Sequence, residues 1–212
     1  MRISPSQGVI SPIALPATLP LPSGHTSLLV HKAVYANTAA VAALIRAAFS
    51  YWPQHGVNVS PASQTDEKTW AHLVRGGYVF VEAQEPFVPL ATVTVYPIDL
   101  AFDSTIQQWN LDTCDESTLV RYIAAPNVRE PADPVHYSMV LFEKLAVQPE
   151  LAHRGIGTAI YRMIEEVTRR RQADGLAIET VAEAAWLCQW YHHSDFARSV
   201  RCATQGVRWI HC

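Results

Sequence analysis

The chain has 212 residues, 49% of them hydrophobic, and a net charge of −3 at pH 7. This length and composition suffice for a buried core and favour a single domain. The net charge does not indicate the basic surface that is typical of a nucleic-acid-binding protein. No apolar run is long enough to cross a bilayer. Neither nucleic acid nor a membrane is therefore expected as a partner.

Residues 1–26 are rich in proline and in small residues. They contain one early arginine and no unbroken apolar stretch of the required length, which argues against a secretory signal and predicts a cytoplasmic location. The segment is either a flexible arm or an extended strap lying on the domain. Residues 27–212 are predicted to form that domain, with a long insertion at about 99–137.

Before the insertion, apolar periodicity and turn residues predict five elements. They are a strand at 27–34, helices at 37–49 and 65–76, and strands at 78–83 and 90–96. Asn37 is the predicted N-cap of the first helix, and Thr65 or Asp66 is that of the second.

The insertion at 99–137 carries more acidic than basic residues. Long insertions in compact domains are often functional, so one interpretation is an acidic lid that attracts a cationic substrate. The other is a solvated surface excursion that contains a short helix near residues 118–123. The sequence leaves both interpretations open.

The segment from Leu145 to Thr158, LAVQPELAHRGIGT, predicts a strand, a glycine loop and the start of a helix. The apolar run stops at Pro149, and Gly155 and Gly157 allow the loop to take positive φ angles. Free N–H groups at a helix N-terminus point toward an anion. A phosphorylated ligand is therefore predicted to bind at this loop.

The helix that follows has one apolar face, formed by Ile156, Ile160, Met163, Ile164 and Val167. Its end carries Arg169 to Arg171, which either complement the helix dipole, the favoured interpretation, or contact a ligand phosphate. Gly175 is the predicted terminator. A dinucleotide-binding loop does not fit because residue 160 is Ile instead of Gly, and the sequence contains no Gly-Lys-Ser/Thr triplet of a Walker loop.

The stretch from Val147 to Thr158 resembles the acetyl-CoA-binding motif of GNAT-type N-acetyltransferases, Gln/Arg-x-x-Gly-x-Gly/Ala. Gly155 and Gly157 match this motif, and Ala152 replaces its Gln or Arg. The resemblance implies an α/β (α+β) fold with a mixed, mostly antiparallel central sheet flanked by helices, and acetyl-CoA as the acyl donor. The cofactor-binding residues that it implies are Leu145, Val147, Ala152, His153, Arg154, Gly155, Ile156, Gly157 and Thr158.

A second stretch, after a strand predicted at 176–181, is similar to another family pattern, Asn-x-x-Ala-x-x-Phe-Tyr-x-x-x-Gly-Phe. Its aromatic positions match at Trp190, Tyr191 and Phe196, whereas Ala184 occupies the Asn position. The resemblance implies that Tyr191 is the general acid that protonates the departing CoA thiolate. A phenol with a pKa of about 10 suits this role because it stays protonated at neutral pH.

Acetyl transfer to an amine also requires a polarised thioester carbonyl and a proton acceptor. The resemblance implies that a backbone N–H near Val147 binds the acetyl oxygen and that a carboxylate on the same strand accepts the proton. Glu143 is the acid of this strand, and period-two alternation predicts that it shares the face of Leu145 and Val147. The alternative is an ordinary surface pair between Glu143 and Lys144.

His136 and His153 are further candidate bases because imidazole titrates near neutrality. The four cysteines include no C-x-x-C pair, so no metal site is expected. The predicted function is transfer of an acetyl group from acetyl-CoA to a small-molecule or peptide amine. The alternative is a catalytically inactive acyl-CoA-binding regulatory or interaction module, and homodimer formation stays open.

Overall fold

The computed structural model describes residues 13–21, 27–55, 60–82, 88–103, 108–110, 119–124, 135–181 and 185–193. Its strands are β1 (Thr18–Leu19), β2 (Leu28–Lys32), β3 (Gly77–Val81), β4 (Ala91–Asp103), β5 (Gln108–Asn110), β6 (Leu119–Ala124), β7 (Val135–Val147) and β8 (Gly175–Val181). Its helices are α1 (Thr38–Phe49), α2 (Asp66–Gly76), α3 (Ile156–Arg170) and α4 (Ala185–His193). No helix within these residues has the length and apolar character needed to cross a membrane.

The strands form one sheet in the order β1-β2-β3-β4-β7-β8-β6, and β5 pairs with β4. Every strand pair is antiparallel except β7 and β8, which are parallel. Parallel neighbours need a crossover connection, and α3 supplies it between these two strands. The predicted mixed, mostly antiparallel sheet flanked by helices is confirmed.

Helices cover both faces of the sheet, and the alternation of strand residues assigns each side chain to a face. On β3, Val79 packs with α1 and α2 in one apolar cluster, whereas Tyr78 and Phe80 pack with α3 and α4 in the other. We call these two sides the α1–α2 face and the α3–α4 face. β3 is buried on both of them, which explains its continuous apolar sequence.

The described part of the proline-rich segment forms a strap on the α3–α4 face. Its strand β1 pairs with β2, and Ile13 and Leu19 are buried in the apolar cluster of that face. The Tyr78 hydroxyl donates a hydrogen bond to the Ile13 carbonyl. Burial raises the pKa of Tyr78, so the hydroxyl remains a donor throughout the neutral range.

Replacing Tyr78→Phe is expected to lower the free energy of unfolding by about 1–2 kcal/mol, because the buried Ile13 carbonyl loses its donor. Urea unfolding measures the change, and limited proteolysis reports whether the strap detaches first. Tyr35→Phe is the matched control, since that ring is exposed. An unchanged unfolding midpoint in Tyr78→Phe would contradict a stabilising strap contact.

The two predicted helix caps differ in outcome. Asn37 does not cap α1, because it ends a 3₁₀ turn and its Oδ1 accepts a hydrogen bond from the Val34 N–H instead. Thr65 does cap α2, and its Oγ1 accepts from the Lys68 N–H at 3.3 Å. Asn37 fits a cap by residue type alone, but the chain enters α1 through a helical turn.

The C-terminal end of α3 is built differently from the prediction. The helix ends at Arg170, Gln172 takes a φ of 55°, and Gly175 is the first residue of β8 instead of the terminator. Glu166 forms ion pairs with Arg169 and Arg170. Two of the three arginines are therefore part of exposed helix-surface pairs, in line with the favoured interpretation.

The insertion extends the sheet. β4 and β7 remain paired as far as Phe102 and Val135, and β5 adds to β4. The short helix predicted near residues 118–123 is wrong, because Leu119–Ala124 is strand β6 and pairs with β8. A short apolar run cannot be assigned to helix or strand by periodicity alone. Of the acidic residues behind the acidic-lid interpretation, Asp99 and Asp103 lie on β4, and the others lie outside the described residues: Asp112, Asp115, Glu116, Glu130 and Asp133.

Candidate active site

Strands β7 and β8 separate part-way along their length. Their paired register ends at Phe142 and Ile178, whereas β7 continues to Val147 beside β4 only. Within the described residues, the edge of β7 from residue 143 to residue 147 therefore has no strand partner on its β8 side. This opening exposes backbone groups in the middle of the sheet, a position where they are normally paired.

A β-bulge lies at the start of the opening. The register changes between the pairs Thr94–Glu143 and Thr92–Ala146, so β7 contains one residue more than β4 there. Lys144 takes a φ of 54°, a left-handed conformation that is uncommon for a residue with a side chain. Bulges redirect side chains and are frequent beside active sites.

The bulge corrects the predicted orientation of Glu143. Ala146 packs in the apolar cluster of the α1–α2 face, whereas Leu145 and Val147 pack in that of the α3–α4 face. Glu143 hydrogen-bonds to a side chain of α2 and so lies on the α1–α2 face. The prediction that it shares a face with Leu145 and Val147 is wrong, because one extra residue reverses the alternation.

The loop before α3 presents free amide groups beside this opening. Gly155 is the N-cap with a φ of 82°, and no side chain of the described part of the chain caps the helix. The first helical hydrogen bond runs from the Ala159 N–H to the Gly155 carbonyl at 2.9 Å. The N–H groups of Ile156, Gly157 and Thr158 thus have no intrahelical acceptor, and the helix dipole adds positive charge at this end.

The space beside these amides borders β7. A Cβ placed on Gly157 would have one heavy-atom neighbour within 4 Å, the Val147 Cγ2 atom at 4.0 Å. Ala152, His153 and Arg154 are exposed, and His153 takes a φ of 61°. The predicted phosphate loop is therefore open to solvent at residues 152–154, and its Gly157 faces Val147 at the unpaired end of β7.

Glu143 forms a close pair with His72 of α2, whose Nδ1 lies 2.7 Å from the Glu143 Oε1. The Glu143 side chain is 11% exposed and that of His72 is 23% exposed. Burial raises the pKa of Glu143, but the hydrogen bond from His72 and the positive charges of His72, Lys144 and Arg75 outweigh it and hold the pKa below its usual value. Glu143 is therefore ionised at neutral pH.

No sequence pattern points to His72, because its partner is 71 positions away in the chain. The bulge at Lys144 has no sequence signal either, since lysine is not a residue type that favours a left-handed conformation. The pair forms only in the folded protein, where α2 packs on β3 and β4 and brings His72 to Glu143.

Tyr191 approaches β7 from the opposite face. It is 5% exposed, and its ring centroid lies 6.3 Å from that of Phe142 and 4.8 Å from that of Trp190. Phe142 is the last residue of β7 that pairs with β8, and Glu143 follows it. Tyr191 and the Glu143–His72 pair thus lie on the two sides of the strand at the point where the opening begins.

An aromatic cluster joins the two faces. Trp186 of α4 lies 5.5 Å from Trp52 and 6.3 Å from Tyr51, ring centroid to ring centroid, and both of these residues follow α1. Phe49 at the end of α1 contacts Trp52 at 4.9 Å. Tyr51 and Trp186 are also among the exposed large hydrophobic residues, so the cluster contributes apolar surface.

The sequence matches no protein-family model and no curated protein. Solved structures, in contrast, share its fold. A mutant of the BH1408 protein from Bacillus halodurans has a TM-score of 0.53 and 16% identity, with 86% of this chain and 98% of that chain covered. A GNAT-family acetyltransferase from Streptococcus agalactiae has a TM-score of 0.50 and 11% identity, with 83% of this chain and 86% of that chain covered.

The fold is that of the GNAT acetyltransferases. Within this GNAT fold, Gly157 of the predicted cofactor-binding loop lies near Val147, and Leu145 and Val147 line the same face of β7. Glu143 lies on the other face, and Tyr191 lies near the last β7–β8 pair. The described residues contain no group of three or more metal-ligating side chains, and the His136 side chain is outside the described atoms.

Proposed function

We propose that this protein transfers an acetyl group from acetyl-CoA to a primary amine. The observation that carries the proposal is the opening between β7 and β8, which places unpaired backbone of β7 next to free amides at the N-terminus of α3. A thioester linked to a phosphorylated carrier fits this arrangement. Its carbonyl oxygen needs a backbone donor, which the unpaired strand edge offers, and its phosphates need an anion-binding site, which the helix N-terminus offers.

The pyrophosphate of CoA would bind the N–H groups of Ile156, Gly157 and Thr158. The pantetheine arm would extend from there along β7, past Val147 toward the bulge. A backbone N–H of the unpaired segment between residues 143 and 147 would donate to the thioester oxygen and stabilise the negative charge that develops on it. These donors are fixed by the strand and the helix, so little reorganisation is needed during the reaction.

The reaction would proceed by direct attack of the amine on the thioester carbon, through a tetrahedral intermediate. The Glu143–His72 pair would accept a proton from the amine on the α1–α2 face. Tyr191 would donate a proton to the departing thiolate from the α3–α4 face. Two groups on opposite sides of the strand can thus act as base and acid without exchanging protons directly.

The acceptor in this proposal is a small-molecule or peptide amine. The experiment is calorimetric titration with acetyl-CoA and with CoA, followed by a thiol-release assay with spermidine, kanamycin, glycinamide and an unblocked peptide. We expect micromolar binding of acetyl-CoA, about −8 kcal/mol, and CoA release with at least one amine. Binding without release with any of these amines would favour an acyl-CoA-binding module, and absence of binding would contradict both functions.

A further inference from the structure

The two nitrogens of the His72 ring have different surroundings. Nδ1 is 2.7 Å from the Glu143 Oε1, and no other hydrogen bond or ion pair of His72 is found among the described residues. An ionised carboxylate only accepts hydrogen bonds, so in the neutral ring the proton is on Nδ1. The Nε2 lone pair is then free to accept a proton.

His72 is held at the point where the reaction would occur. Its partner Glu143 lies between Phe142, the last residue paired with β8, and Lys144, the bulged residue. The imidazole therefore covers the first residue of the unpaired segment on the α1–α2 face. An amine that reaches a thioester beside this segment from that face comes close to His72.

The charges around the pair favour the imidazole over the carboxylate as the proton acceptor. Against the burial that raises the pKa of Glu143, the hydrogen bond and charge of His72 act most strongly, followed by the positive charges of Lys144 and of Arg75, whose guanidinium lies 5.9 Å from the Tyr96 ring centroid. Together they hold the pKa of Glu143 below its usual value, which makes this carboxylate a weak base at neutral pH. Histidine is the side chain that most often acts as a general base, and the Nε2 lone pair of His72 can take that role.

We infer that His72 Nε2 takes the proton from the attacking amine and that Glu143 is a positioning residue that orients the ring. The inference rests on the proposed acetyl transfer and assigns its base. It replaces the carboxylate predicted from the sequence with a histidine of a different element, α2.

An ammonium substrate loses two protons when it becomes an amide. His72 Nε2 takes one and passes it to solvent, and the nitrogen lone pair forms the new N–C bond. When the C–S bond breaks, the electron pair leaves with sulfur, and Tyr191 gives the thiolate a proton. The second proton of the amine is also released to solvent. Solvent then returns one proton to Tyr191, so each turnover releases one proton in total.

The test compares pH profiles of kcat/KM for acetyl transfer to the fastest of the four amines named above. We expect His72→Gln to lower kcat/KM at neutral pH by about a hundredfold. The kcat/KM of this variant should recover at alkaline pH, where the amine is already deprotonated. Glu143→Gln should lower it less and move the ascending limb to lower pH, because the protonated ring loses a neighbouring negative charge. His31→Gln is the control, since His31 is exposed on β2.

The opposite pattern, in which Glu143→Gln removes the ascending limb and His72→Gln only shifts it, would overturn the inference and make Glu143 the base. Nitrogen NMR of the His72 ring gives a readout that does not depend on turnover. A proton on Nδ1 and none on Nε2 at alkaline pH supports the inference, and a proton on Nε2 overturns it. If the wild-type protein binds no acetyl-CoA or releases no CoA, the proposed function fails and the base assignment falls with it.

Discussion

Replacing Gly157→Ala is expected to weaken acetyl-CoA binding by about tenfold or more, about 1.4 kcal/mol, while the protein stays folded. The new methyl group meets only the Val147 Cγ2 atom at 4.0 Å, which is an ordinary contact, so it strains nothing in the free protein. In a helix, alanine is more favourable than glycine by up to about 1 kcal/mol of folding free energy. The methyl group does, however, occupy the space beside the amides where a pyrophosphate would approach.

Gly155→Ala is the matched variant at the same loop. Gly155 has a φ of 82°, so a side chain there costs about 1–2 kcal/mol of folding stability. Calorimetric titration and urea unfolding of both variants separate the two effects. The expected result is that Gly155→Ala loses stability and that Gly157→Ala loses affinity alone. Wild-type affinity in a stable Gly157→Ala protein would contradict CoA binding at this helix end.

Replacing Tyr191→Phe is expected to lower the rate of acetyl transfer by about a hundredfold and to leave the affinity for acetyl-CoA unchanged. The phenol is the proposed donor to the thiolate, and phenylalanine keeps the ring contacts with Phe142 and Trp190. Thiol-release kinetics and calorimetric titration measure the two quantities separately.

Tyr161→Phe is the control for this variant. Tyr161 is buried beside the same residues, with ring centroids 6.2 Å from Phe142 and 5.8 Å from Trp190. Removing its hydroxyl changes the same aromatic layer without removing the proposed acid, so turnover should stay near that of the wild type. Equal losses in Tyr191→Phe and Tyr161→Phe would mean that the aromatic layer acts only through packing.

The glycine loop and α3 could be predicted from the sequence because their signals are local. The two glycines and the apolar spacing from Ile156 to Val167 lie within one short segment, and the helix begins and nearly ends where the spacing indicates. The sheet type followed from the resemblance that this loop carries. Local backbone requirements are what residue patterns record most directly.

The arrangement of the proton-transfer groups could not be predicted from the sequence. Period-two alternation assigned Glu143 to the wrong face because a bulge at Lys144 leaves no trace in the residue types. His72 becomes part of the site only because α2, which packs on β3 and β4, brings it to Glu143, 71 positions away in the chain. Leu119–Ala124 forms a strand instead of the predicted short helix, and its apolar run is too short to show a period that separates the two.

Titration of isotope-labelled protein with acetyl-CoA, followed through the backbone amide chemical shifts, locates the cofactor site residue by residue. We expect the largest changes at Ile156, Gly157 and Thr158 and along residues 143–147 of β7, with smaller changes on the strap and β2. Saturable changes confined to other surfaces, or none at all, would contradict the claim that the opening between β7 and β8 is the acetyl-CoA site.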